Sequence, residues 1–348
     1  MPHRSVLPAT LATVLLAAAS CASTPKKLSL TPDELRDELA RRIPRDEVVI
    51  PFEVSPEHAR RAQALTAGVA DPAEKVRILV SALLGPRDFG LRYQASVPGT
   101  AEEAFRRGGG DCLALASAFV GMARAAGLDA SYMDASFRLQ ETEVLSEQTV
   151  VKIGHVTAYV MTPADRIGLD FALEGRIYWY EPIDDVEAVA HFYNNLGYVL
   201  LESGGNGGTP DGWAAALHQF DLATRVKPGF ARAWNNLGVA QARLGRRDAA
   251  RAAYRRAIAA DAKLASPRLN LGVLLLQAGE VDAAWELLEA AARLDPDAPN
   301  VQYELALARI ERGDRRGAVK ALERAVSLPG GWPAARTLLD RLAGGEKG

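Results

Sequence analysis

One cysteine, one histidine and one aspartate stand where they could build a nucleophilic centre. Cys112 closes the run Gly108-Gly109-Gly110-Asp111-Cys112, where a glycine loop becomes an apolar helix running through Phe119 and Met122 to Gly127. A cysteine in a first helical turn sits at the positive end of the helix dipole, beside backbone N–H groups that lack helical acceptors. Both favour thiolate, the form that attacks carbonyl carbon. Gly109 and Gly110, having no Cβ, would let a substrate backbone approach the sulfur. His155 follows 43 residues later at the mouth of an alternating apolar run, and Asp170 follows 15 residues after that. Antiparallel neighbours joined by a short turn can bring two such side chains together. Asp170 would then orient and polarise His155, the proton carrier for Cys112. Asp165 is an alternative for the third role, and Asp184 a more remote one. Asp111 reads as a helix cap. Taken singly, these residues have plainer readings: an inert core thiol, a strand histidine and a hairpin charge.

The elements that must hold these residues are also legible. Thr31-Pro32-Asp33-Glu34 is a helix start, with a hydroxyl cap, a proline in the first turn and a glutamate three residues on. Asp71-Pro72-Ala73-Glu74 and Thr100-Ala101-Glu102-Glu103 repeat the pattern, and the second of the three helices puts Val76, Leu79, Val80 and Leu83 on one face. Beyond about Ala130, residues 151–160 and 166–173 look like strands, and Glu174-Gly175 turns into a third at 176–181. Helices followed by an antiparallel sheet make an α+β domain.

The region from Asp71 to Asp185 resembles the transglutaminase-like superfamily, relatives of papain-like cysteine proteases. The resemblance rests on Asp71 to Leu83, Tyr93, Thr100 to Phe105, Gly110-Asp111-Cys112 and Arg124-Ala125-Ala126-Gly127-Leu128. It implies Cys112 as nucleophile, His155 as general base and acid, and Asp170 as the third member. Thr157 and Phe171 depart from the pattern, since many members carry an aromatic residue two after the histidine and a proline straight after the aspartate.

From about Ala190 the chain repeats itself. Gly245, Gly279 and Gly313 are spaced by 34 residues, as are Phe220, Tyr254, Leu288 and Leu322, and Ala223, Ala257, Ala291 and Ala325. This period resembles the tetratricopeptide repeat, a helix-turn-helix unit that stacks into an all-α solenoid. Four repeats are expected, the first carrying a seven-residue insertion at Gly204 to Pro210, with a capping helix from Trp332 to Leu342. The first helix of each repeat lines an inner groove. In this frame the groove includes Asn235, Val239, Leu269, Val273, Tyr303 and Leu307, with a polar rim at Arg232, Ser266 and Asn300. Such a groove suits an extended segment or helix of a protein partner. The same residues could instead pack between repeats, and the array could dock on its own catalytic domain.

The first 21 residues read as a secretion signal. His3 and Arg4 precede an apolar stretch, too short to span a membrane, that closes Ala18-Ala19-Ser20-Cys21. The ending resembles a lipobox, in which Cys21 would carry lipid; a plain signal peptide cut near Ala19 is the alternative. Ala22 after that cysteine implies, by the same resemblance, the outer membrane facing the periplasm. The chain holds two cysteines, so lipidation of Cys21 would leave Cys112 alone in an oxidising compartment. The expected layout is a signal at 1–21, a tether at 22–29, the cysteine domain at 30–187 and the repeats at 188–348. A formal charge of -2, with acidic and basic residues interspersed, gives no reason to expect nucleic acid. No metal-ligand spacing or phosphate loop occurs, and no cofactor is expected. The resemblances therefore imply a cell-envelope lipoprotein that cleaves or transfers peptide amide bonds through a thioester, with repeats that recruit a protein. A catalytically silent, lipid-anchored scaffold is the alternative.

Overall fold

The structure, a computed structural model, describes residues 15–16, 29–135, 142–146, 149–152, 155–163, 166–171, 181–203, 208–329 and 331–344. Cys21, the rest of the signal apart from 15–16, the tether up to residue 28, Asp165, the turn at 174–175 and most of the expected 176–181 strand lie outside them. So does most of the insertion at 204–210. The chain forms two compact units, one of residues 1–140 and 155–189, the other of residues 141–154 and 190–348.

In the first unit the helix starts fall where the local chemistry puts them. Leu15–Leu16 forms a short strand, β1. Helix α1 (Pro32–Leu39) opens with a capping box in which Thr31 and Glu34 each satisfy the other's backbone N–H. Helix α2 (Pro56–Leu65) is capped by Ser55, and α3 (Pro72–Leu84) by Asp71. After β2 (Arg92–Tyr93), α4 (Ala101–Arg107) opens with the second capping box, Thr100 with Glu103. Strand β3 (Gly109–Gly110) pairs in parallel with β2 and leads into α5 (Cys112–Ala125). Every residue of α5 from Cys112 to Ala123 is buried. It packs against β4 (Asp129–Asp134) and against α2, α3 and α4. Gly121 permits the closest crossing: a Cβ there would lie 2.3 Å from the Phe52 carbonyl oxygen.

After β4 the chain leaves this sheet for a hairpin, β5 (Thr142–Ser146) and β6 (Thr149–Lys152), which belongs to the second unit. It returns as β7 (Val156–Met161), β8 (Arg166–Leu169) and β9 (Glu181–Ile183). The antiparallel sheet runs β1-β8-β7-β4-β9, and α5 covers β7 as well as β4. Residues 151–160, which read as one strand in the sequence, are thus two strands in different sheets. Residues 153–154, between them, lie outside the described residues. Helix α6 (Asp185–Glu202) begins at a buried ion pair. Asp185 accepts two hydrogen bonds from Arg124, at 2.8 and 2.9 Å, and a third from the Leu30 N–H at 2.7 Å. The Arg124 guanidinium also lies 4.3 Å over the Phe52 ring and donates to the Ala130 carbonyl. One charge pair therefore ties the helix, the first residues of the unit and its last element together.

The second unit is a stack of helix pairs: the rest of α6 with α7 (Pro210–Val226), α8 (Ala231–Arg243) with α9 (Arg247–Ala260), α10 (Ser266–Leu276) with α11 (Val281–Leu294), and α12 (Pro299–Glu311) with α13 (Arg315–Ser327). Helix α14 (Pro333–Gly344) closes it. The small residue of one helix seats the large residue of its mate. A Cβ on Gly238 would meet the Tyr254 ring at 2.5 Å, one on Gly272 the Leu288 side chain at 2.7 Å, and one on Gly197 the Phe220 ring at 2.6 Å. The turn within each of the last three pairs is a left-handed glycine, Gly245, Gly279 and Gly313, with φ of 73°, 77° and 78°. Each turn closes with the same backbone bond from the following residue back across the helix end. Buried asparagines join successive repeats: Asn236 donates to Asn194 at 2.9 Å, and Asn270 donates to Asn235 at 2.9 Å. Within this unit, β6 lies along α8 and α10.

Candidate active site

Helix α5 begins at the sulfur. Asp111 caps it, accepting from the Ala114 N–H at 2.8 Å, so the thiol stands among first-turn N–H groups. The partners come from the β7–β8 hairpin. Ala158 pairs with Leu169 and Met161 with Arg166, so His155, one residue before β7, and Asp170, one residue after β8, meet at the same end. His155 Nε2 lies 3.2 Å from Asp170 Oδ1. The sulfur of Cys112 is hydrogen-bonded to the other partner, His155, and to the backbone N–H of Val156. The His155 carbonyl accepts from the Ala135 N–H at 2.8 Å, which fixes the histidine backbone to the end of β4. Cysteine, histidine and aspartate thus form one hydrogen-bonded chain. The Val156 N–H is a member that sequence reasoning did not find; its position one residue after the histidine was the available signal.

Electrostatics divide the three. Burial works against charge on His155, but hydrogen bonds and charge from Asp170 and Cys112 outweigh it and push the imidazole up to about 11. Burial pushes the Cys112 thiol up, Asp111 adds to that, and the His155 bond pulls the other way without offsetting it. The helix dipole led the sequence reading to a thiolate-poised cysteine. In the structure desolvation of the buried sulfur opposes that thiolate, while the charge of Cys112 is itself one of the causes that raise His155, so the two groups titrate as a pair. Admitting solvent or a polar substrate to the sulfur would lower that penalty.

The other expected residues are placed as follows. Gly109 and Gly110 are buried against their own chain: a Cβ on Gly109, at φ 156°, would lie 2.1 Å from the Arg92 carbonyl, and one on Gly110 2.6 Å from the Ala114 Cβ. Their job in this structure is the close approach of β2 and the first helical turn rather than an opening for substrate. Asp184 accepts from the Glu187 N–H at 2.8 Å, a cap for α6. Phe171, which departs from the family pattern, sets its ring 6.2 Å from that of Phe119 and so anchors the end of β8 on the central helix. Of the groove residues, Asn235, Val239, Leu269 and Val273 are buried, whereas Tyr303 and Leu307 are half-buried. Two further polar anchors escaped the sequence reading: the Tyr132 hydroxyl donates to Ser117 on the central helix at 3.0 Å, and Arg124 pairs with Asp185. Among the described residues no group of three His, Cys, Asp or Glu is placed to hold a metal ion.

Comparison with known proteins bears on both units. Residues 59–202 match the model of the transglutaminase-like superfamily, and residues 211–265 and 275–342 match tetratricopeptide-repeat models. No curated protein matches the chain. Similar solved structures include MamA residues 41 to the end from Desulfovibrio magneticus RS-1, at 20% identity, covering 45% of this chain and 85% of that one, with a TM-score of 0.39. Another is Pseudomonas aeruginosa PilF, at 22% identity, covering 47% of this chain and 71% of that one, with a TM-score of 0.42. A thermophilic tetratricopeptide-repeat protein of Thermus thermophilus is 21% identical, covering 44% of this chain and 80% of that one, with a TM-score of 0.38. The α+β unit thus carries a stretch that matches the transglutaminase-like superfamily, and the helix pairs after it match tetratricopeptide repeats.

Proposed function

We propose that the chain is a cell-envelope lipoprotein whose transglutaminase-like core cleaves or transfers peptide amide bonds through a thioester, while its repeats recruit a protein. The observation that carries this reading is the hydrogen-bonded chain Cys112–His155–Asp170 at the first turn of a buried helix. Cys112 Sγ, its proton held by His155, attacks the amide carbonyl as thiolate and forms a C–S bond. His155 protonates the departing nitrogen as the C–N bond breaks, leaving a thioester and a released amine. Water or a second amine then attacks the thioester, giving up its proton to His155, and the thiol is regenerated. Water gives hydrolysis, and an amine gives transfer. Asp170 holds the imidazole orientation and its charge throughout. Lipid on Cys21 would hold the protein at the outer membrane facing the periplasm.

A second reading, a lipid-anchored scaffold without turnover, is favoured by one observation, the burial that pushes the Cys112 thiol up. Hydroxylamine separates the two. With glutamine-containing peptides as acyl donors, the enzyme reading expects a hydroxamate product by mass spectrometry from the wild type and none from Cys112→Ala or His155→Ala. Equal mass spectra for the wild type and Cys112→Ala across a broad peptide library would leave the scaffold reading. For the anchor, Cys21→Ala should abolish labelling by a palmitate analogue; unchanged labelling would remove the lipid from the proposal.

A further inference from the structure

The groove of the repeat array has an occupant within the chain itself. The β5–β6 hairpin arises in sequence between β4 and His155, yet it falls in the same compact unit as the repeats, with β6 running along α8 and α10. Those are the first helices of the second and third repeats, which line the inner face. The strand that lies there, Thr149-Val150-Val151-Lys152, is extended and rich in β-branched residues. This is the form of segment that an apolar solenoid groove accepts by shape and burial.

We propose that the β5–β6 hairpin is a tethered ligand of the repeat groove, seated on α8 and α10. A tethered segment competes at an effective concentration in the millimolar range for a short linker, so a partner using the same helices must displace it. Partner binding would therefore select extended segments able to outcompete residues 149–152, or would begin at the more open α12 end. The docking does not rest on the catalytic reading above.

Hydrogen–deuterium exchange on the whole protein tests the docking. The amides of residues 150–152 should exchange at least tenfold slower than in an unstructured chain. Val273→Asp should remove that protection while α5 stays protected, and Leu307→Asp should leave it in place. Random-coil exchange of β6 in the wild type would overturn the proposal, as would equal loss of protection in both variants, since that would report a loosened array. Should Val273→Asp unfold the repeats, the wild type with excess synthetic peptide of residues 142–152 supplies a second measurement. Trypsin cleavage after Lys152 should then accelerate severalfold as the peptide takes the groove, and an unchanged rate would overturn the proposal. Unchanged docking with no hydroxamate chemistry would sink only the catalytic reading.

Discussion

Replacing Asp170 by asparagine keeps the shape of the His155 partner and removes its charge. Two unit charges 3.2 Å apart interact by about 5 kcal/mol at an effective dielectric of about 20. The Asp170 side chain is 21% exposed, and solvent screening at that exposure reduces the figure by roughly half, to about 2–3 kcal/mol. At about 1.4 kcal/mol per pH unit, Asp170→Asn should lower the His155 titration midpoint by about two pH units. The starting point is an imidazole held up to about 11, so the wild-type ring stays protonated across neutral pH. Nitrogen-15 chemical shifts of the imidazoles in histidine-labelled protein read this directly, with His155→Gln assigning the resonance. Proton-poor His155 would still accept a bond from the thiol, so the alkylation profile of Cys112 should shift in step with the ring. A His155 midpoint within about 0.3 pH units of the wild type would refute the assignment of Asp170 as the polarising group, since the predicted shift is several times larger. Movement on Asp165→Asn instead would transfer the role.

Three other outcomes follow from the same structure. Because the folded His155 value lies above the unfolded one near 6.5, its stabilising contribution is complete below about pH 6.5 and is lost as pH rises towards about 11. The buried Cys112 thiol acts in the same direction at the alkaline end. Urea midpoints of the first unit should therefore fall between about pH 7 and 10, by up to about 1.4 kcal/mol per pH unit for His155 alone, and Asp170→Asn should flatten the slope. Arg124→Met leaves Asp185 buried without its cation and should destabilise the first unit by about 3–5 kcal/mol in urea unfolding, with partial recovery in Arg124→Met/Asp185→Asn. Gly238→Val drives a side chain into the Tyr254 ring and should cost the repeat array about 1–3 kcal/mol by thermal unfolding, whereas Gly245→Ala should act through its left-handed φ of 73° and cost about 1–2 kcal/mol.

What the sequence revealed and what it hid divide along the range of the interactions involved. Cys112, His155 and Asp170 were legible because a glycine loop, an apolar helix and a two-strand register are local patterns, and the register alone brings residues 155 and 170 to one end. The capping boxes at Thr31 and Thr100 and the 34-residue glycine period were legible for the same reason. The upward push of burial on the Cys112 thiol was not. Its size depends on how many atoms cover the sulfur, which is set by the sheet, the neighbouring helices and the fold as a whole. Gly109 and Gly110 likewise face β2 and Ala114, contacts that pairing creates and spacing does not announce. The hairpin at 142–152 shows the limit most clearly. Val151 runs on into the apolar segment that follows, so nothing local marks β6 as belonging with helices far along the chain.

The asparagine links between repeats carry a consequence for how the array comes apart. Each link crosses from the first helix of one repeat to that of the next, Asn194 to Asn236 and Asn235 to Asn270, and each requires one amide to give and the other to receive. Sliding a helix by a single residue would strand both amides in a dry interior, so the fasteners set alignment as well as adhesion. One period after Asn270, α12 carries Glu304, a carboxylate, which accepts but has no amide hydrogen to give. Excising the second repeat would remove Asn235 and Asn236 and so undo both asparagine fasteners at once, and it should be tolerated far less well than shortening the protein from its carboxyl-terminal end.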